Sequence, residues 1–221
     1  MSSKVRVWDL PSRIFHWLLA SSVIGLVVTA NVGGAAMEWH FRLGYTVLSL
    51  LLFRLVWGLV GGRWSRFSSF LYSPATLWRY MTGRGRPEHS IGHNPMGALS
   101  VYAMLVFLLL QVGAGLFSDD EISAYGPLGK FVSNETVVSA TFYHTNVGKF
   151  ILLALIAIHL IAIVYYVFKK KNNLVRPMLS GDKATDVLVP PSRDDGASRL
   201  LALAIYAMCA SLVAAMVKLA S

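Results

Sequence analysis

Polar positions along this chain of 221 residues gather into bands and leave five apolar stretches between them, at about 14–32, 41–60, 97–117, 147–168 and 199–219. A helix rises about 1.5 Å per residue, so each stretch is long enough to cross a hydrocarbon core of about 30 Å. The bands carry their own start signals. Ser73-Pro74 reads as a helix cap followed by a first helical residue, and the stretch to Met81, with Trp78 and Tyr80, predicts a short helix lying at the membrane interface. Asn94-Pro95 repeats that signal before the third stretch. A turn is expected at Gly126-Pro127 and a short helix after Ser133. Residues 172–198, with Gly181, Pro190-Pro191 and Asp194-Asp195-Gly196, read as a polar tether to the last stretch, whose many alanines suit close packing against a neighbouring helix or a second copy of the chain.

Composition agrees with a multi-pass membrane protein: 55% of residues are hydrophobic and 14% charged. The net charge of +9 does not point to nucleic acid, because the basic residues border apolar spans instead of forming a face. They set an orientation. Fifteen of the 20 Lys and Arg fall before the first span, between the second and third, or between the fourth and fifth, against four on the alternate side: Arg42, Lys130, Lys149 and Lys218. The N-terminus is therefore expected in the cytoplasm and the C-terminus, after five spans, in the periplasm. The first span is read as retained, not as a cleaved signal, because its apolar core is long and begins with His16-Trp17. One cysteine, Cys209, excludes an intrachain disulfide, an iron–sulfur cluster and covalent haem attachment.

Histidines carry the chemistry. Intramembrane ionisable groups are costly and functional by default, and the fourth span holds two, His144 and His159, 15 positions apart. In an unbroken α-helix they lie within ~60° of one face and ~22 Å apart along the axis. His40 opens the second span at the same depth as His144, and His16 lies at the depth of His159. Two pairs result, an outer His40/His144 and an inner His16/His159, each drawn from two helices, as bis-imidazole haem ligation requires. A structural zinc site needs about four ligands converging on one point, and a transport path is expected to carry carboxylates that these spans lack. Arg54 is the one charged residue deep in a span, at the level of the inner pair. It is either the counter-ion of a haem propionate or a side chain snorkelling to the headgroups. His89 and His93 are read as loop residues, solvated or touching a propionate, and Arg13 and His93 join Arg54 as propionate candidates.

The segment Trp8-Asp9-Leu10-Pro11-Ser12-Arg13-Ile14-Phe15-His16-Trp17 resembles the opening of the bacterial di-haem cytochrome b family that includes the cytochrome b subunit of nickel–iron hydrogenases. Gly92-His93-Asn94-Pro95-Met96-Gly97, and Asp119-Asp120-Glu121-Ile122 before Gly126-Pro127-Leu128, look like further signatures. The resemblance covers roughly residues 5–175. It implies a four-helix transmembrane bundle holding two non-covalent b haems on His16, His40, His144 and His159, the set that the depth argument also selects.

The expected architecture is thus an all-α membrane protein. Residues 1–175 form the di-haem domain, 176–198 the cytoplasmic tether and 199–221 an additional span. The expected function is electron transfer in the bacterial inner membrane between the quinone pool and a periplasmic partner, a c-type cytochrome or a hydrogenase. An acidic outer loop, with Asp119, Asp120, Glu121 and Glu135, suits a basic electron carrier. Two alternatives stay open: a superoxide:quinone oxidoreductase, disfavoured by that same acidic face, and a non-redox anchor or transporter with structural histidines.

Overall fold

A computed structural model describes residues 3–119 and 125–220. Asp120, Glu121 and Ile122, part of the expected acidic loop and of the third signature, lie outside the described residues. In chain order the elements are β1 (Ser3–Arg6), α1 (Leu10–Val32), α2 (Met37–Val60), α3 (Pro74–Met81), α4 (Pro95–Gly115), α5 (Asn134–Phe142), a π-helix (Tyr143–Gly148), α6 (Lys149–Phe168), α7 (Val175–Ser180), β2 (Asp182–Thr185) and α8 (Gly196–Ala220). Five helical spans among the described residues are long and apolar enough to cross a membrane, the fourth running unbroken over Asn134–Phe168. Their surfaces carry large apolar side chains such as Ile24, Val32, Ile161 and Phe168, each about two-thirds exposed or more. Such a surface is stable against lipid and not against water.

The caps follow from the sequence. Ser73 and Ser133 each accept the backbone N–H three residues on, from Thr76 and Thr136, and Asn94 Oδ1 accepts from Gly97 N at 2.7 Å. The first span starts at Leu10, ahead of the expected 14, because Asp9 caps it by accepting from Ser12 N at 2.8 Å and Pro11 fits the first turn. The fourth starts at Asn134, ahead of 147, because the short helix after Ser133 runs on into it without a break.

The chain divides into two compact units. One comprises Met1–His16, Arg54–Ala103 and Ile158–Ile205. At its centre Asp9 is fully buried and its second carboxylate oxygen accepts from Ser65 Oγ at 2.6 Å, while Trp57 Nε1 donates to the first at 3.3 Å. Gly62 leaves room for that carboxylate, since a Cβ there would stand 2.5 Å from it. Val7, Trp8 and Ile91 form a small core with Trp64, Met178, Val187 and Val189 packed on it. The stretch 176–198, expected as a tether, is folded. It supplies α7 and β2, and β2 pairs antiparallel with β1 in the register Lys4 to Ala184 and Arg6 to Asp182. Arg6 bridges Asp182 and Asp194, and Asp194 also accepts from Arg199 Nε and from Leu10 N. Burial pushes the Asp194 carboxyl up, but the donors Arg199, Leu10 N and Arg6 outweigh it and hold the group below its usual range.

The other unit comprises Trp17–Phe53, Met104–Ala157 and Tyr206–Ser221. Val47, Leu50, Leu51, Leu105, Leu108, Leu152, Cys209 and Val213 are buried in it, with Phe53 edge-on to Tyr206. α1 and α2 approach closely at Gly25, where a Cβ would stand 2.7 Å from Leu43. The expected turn is present: Gly126 N donates to Ser118 O and Leu128 N to Leu116 O.

Candidate functional site

In the second unit His40, in the first turn of α2, meets His144, in the π-helix. Their ring centroids are 6.2 Å apart and the rings stand at 89° to one another. Each Nδ1 donates to a main-chain carbonyl, His40 to Leu26 O at 3.1 Å and His144 to Gln111 O at 2.8 Å. A carbonyl only accepts, so both rings are fixed in the tautomer that leaves Nε2 unprotonated and free to bind a metal. Gln111 grips His144 a second time, its Nε2 donating to the His144 carbonyl at 2.9 Å. The residue so held lies in the π-helix, a wider winding that recurs at functional sites. Two glycines set the fit: a Cβ on Gly115 would lie 2.8 Å from His144 Cε1, and one on Gly148 would lie 2.1 Å from Gln111 Oε1.

The first unit gathers His16 of α1 and His159 of α6, whose imidazoles are near enough to interact electrostatically. His93 joins them just before α4. It packs between Trp8 and Phe70, with centroids at 4.6 Å and 4.4 Å, and its carbonyl accepts from Tyr72 Oη at 2.9 Å. It is not a solvated loop residue. Burial first, then the charges of Arg54, His159 and His16, push its imidazole down to about 3, so it is neutral. His89 lies apart, in a short turn edge-on to Tyr72. Arg54 is only 5% exposed, with its guanidinium 4.7 Å from the Phe67 ring centroid. A snorkelling arginine reaches water; this one does not. Arg54 Nη1, Arg13 Nε and His93 Nδ1 are buried with no hydrogen-bond partner among the described residues. Buried polar groups are nearly always paired, so the guanidinium donors of Arg54 and Arg13, in one unit, suit an anionic acceptor, and the neutral His93 Nδ1 beside them suits a polar partner.

Among the described residues no three His, Cys, Asp or Glu side chains converge as a metal site of three or more ligands. Apolar spans with imidazoles paired across them belong to a membrane cytochrome. Residues 7–181 match the family described as prokaryotic cytochrome b561, and the chain belongs to that family. Among its curated relatives are proteins named as probable Ni/Fe-hydrogenase B-type cytochrome subunits. The one from Rhizobium leguminosarum bv. viciae is 23% identical, with 81% of this chain and 88% of the relative covered. The one from Azotobacter vinelandii is 25% identical over 80% and 87%, and the hydrogenase 1 subunit of Escherichia coli K12 is 26% identical over 57% and 64%. No solved structure matches. As a b-type cytochrome the chain takes b-type haem and serves electron transfer in the membrane.

The residues present fit such a group. Two imidazoles ligating one metal through their near nitrogens, at about 2 Å each, bring their centroids roughly 6 Å apart, which is the spacing of His40 and His144. The buried unpaired guanidinium donors of Arg54 and Arg13 suit propionate carboxylates, with His93 Nδ1 beside them. Sequence reasoning missed Gln111. Its signal was there, the single amide side chain in the apolar run of α4.

Proposed function

We propose that the chain holds two b haems, one on His40 and His144 and one on His16 and His159, and passes electrons between the quinone pool and a redox partner on the periplasmic side of the inner membrane. The observation that carries this reading is the facing pair His40 and His144, each with Nδ1 committed to a carbonyl. Haem, when bound, would supply iron that exchanges one electron at a time, and the imidazoles of His40, His144, His16 and His159 would hold it. The protein does the rest. Leu26 and Gln111 carbonyls orient the outer imidazoles and raise their basicity. Arg54, Arg13 and His93 hold the inner propionates and shield their charge from a low-dielectric interior.

The basic residues flanking the spans support a cytoplasmic N-terminus and a periplasmic C-terminus. The names of the relatives favour a nickel–iron hydrogenase as partner. The acidic outer loop, exposed at Glu135, favours instead a basic c-type cytochrome. The purified protein should show two haems per chain by pyridine haemochrome assay. His159→Leu and His40→Leu should each lower the content to about one and remove different components of the reduced-minus-oxidised spectrum. Full haem content in both variants would overturn the pairing.

A further inference from the structure

Just beyond the end of α6 the chain forms a partly open cavity of about 340 Å³, lined by Lys4, Lys171, Asn172, Arg176, Ser180 and Asp182 among others. The charges there are one-sided. Asp182 is committed to Arg6, and no carboxylate among the described residues lies within 4 Å of Lys4, Lys171 or Arg176. Lys183, also on the wall, turns its ammonium to Ser90 O. Lys4, Lys171 and Arg176 therefore line a space whose one carboxylate, Asp182, is paired with Arg6.

Its position sets the ligand. α6 ends at Phe168 and Lys169-Lys170-Lys171 follows at once, the depth of lipid headgroups if α6 spans the membrane. The chain then turns sharply: Asn172 N donates to Tyr166 O at 2.9 Å, and Lys171 takes the left-handed conformation with φ 53°. That turn brings the Lys171 side chain to the cavity wall. On α7 next to Arg176, Val175 and Leu179 lie one turn apart and are 40% and 60% exposed. A polar cationic cavity, with exposed aliphatic side chains on the α7 helix that supplies part of its wall, matches a phosphodiester head with acyl chains nearby. We propose that this cavity binds the headgroup of an anionic phospholipid from the leaflet on the Lys/Arg-rich side of the protein.

The test uses the full haem-loaded chain in neutral detergent, with dioleoyl phosphatidylglycerol, dioleoyl phosphatidylcholine and inorganic phosphate as separate probes. Binding is read by native mass spectrometry and by the temperature at which Soret absorbance is lost. Phosphatidylglycerol should remain bound and raise that temperature, whereas phosphatidylcholine should do neither. Lys171→Gln/Arg176→Gln should weaken phosphatidylglycerol binding at least tenfold while keeping the Soret spectrum, and the single Lys171→Gln, at an exposed turn, should weaken it in the same direction. Equal binding of both lipids, or wild-type binding by the variants, would overturn the proposal. So would inorganic phosphate reproducing the whole effect, since the site would then take a free anion and not a lipid.

Discussion

Replacing Gly115 by alanine probes the outer imidazole pair with a single methyl group. That methyl would stand 2.8 Å from His144 Cε1 and 3.1 Å from Nδ1. Carbon atoms rest at about 3.5–4.0 Å, so the ring must retreat by roughly 0.7 Å or more. It cannot do so freely, because Nδ1 is held 2.8 Å from Gln111 O and the His144 carbonyl is held by Gln111 Nε2. Metal–ligand distances tolerate about 0.2 Å, so the displacement falls on the iron bond. Overpacking of this kind costs about 1–3 kcal/mol, which at 1.4 kcal/mol per decade lowers outer-haem affinity by roughly 5- to 150-fold. The assay is haem per chain during detergent purification with a potentiometric titration, and Gly196→Ala, with open space around it, is the control. Two haems and unchanged midpoints in Gly115→Ala would refute the argument that His144 binds iron in this geometry.

Arg54→Gln removes a buried positive charge beside the inner pair, so one of the two haem midpoints should fall by tens of millivolts while the other stays, in line with a charge acting through a medium of effective dielectric about 20. Equal shifts of both midpoints, or none, would detach Arg54 from the inner haem. Asp194 sets an acid limit. Its carboxyl lies below its usual range when folded, so its stabilising effect is present above the unfolded value of about 3.9 and is lost as pH falls through the folded one. Thermal midpoints of the wild type and Asp194→Asn should differ at pH 6 and converge as the pH falls below the unfolded value of about 3.9; a gap that does not narrow on acidification would contradict this.

Most of the membrane-spanning structure could be read from the sequence because its signals are local. Twenty apolar residues in a row, Ser73-Pro74, Asn94-Pro95 and Ser133 each announce an element within a few positions. The histidines were legible because a polar side chain in lipid needs a reason. What escaped was whatever depends on distant partners. β1 and β2 are four residues each, polar and without clear alternation, and neither signals a strand until the other is beside it. The π-helix escaped for another reason. The ~100° per residue used to phase His144 against His159 assumes an uninterrupted α-helix, and Tyr143–Gly148 winds more widely. Gln111 holds His144 across 33 positions, a contact that no periodicity in either helix records.

The pairing of β1 with β2, and the grip of Asp194 on both Arg6 and the first amide of α1, also order events in time. Leu10 N and its acceptor Asp194 are separated by 184 positions. At synthesis rates of about 5–20 residues per second the first helix therefore waits roughly 10–40 s for its second capping carboxylate to be made. Until residue 182 is made, Arg6 lacks both of its carboxylate partners and β1 has no neighbour. Strand β1 acts as a clasp that shuts only once residues 182–194 have been synthesised, and a chain truncated before residue 182 would leave it open.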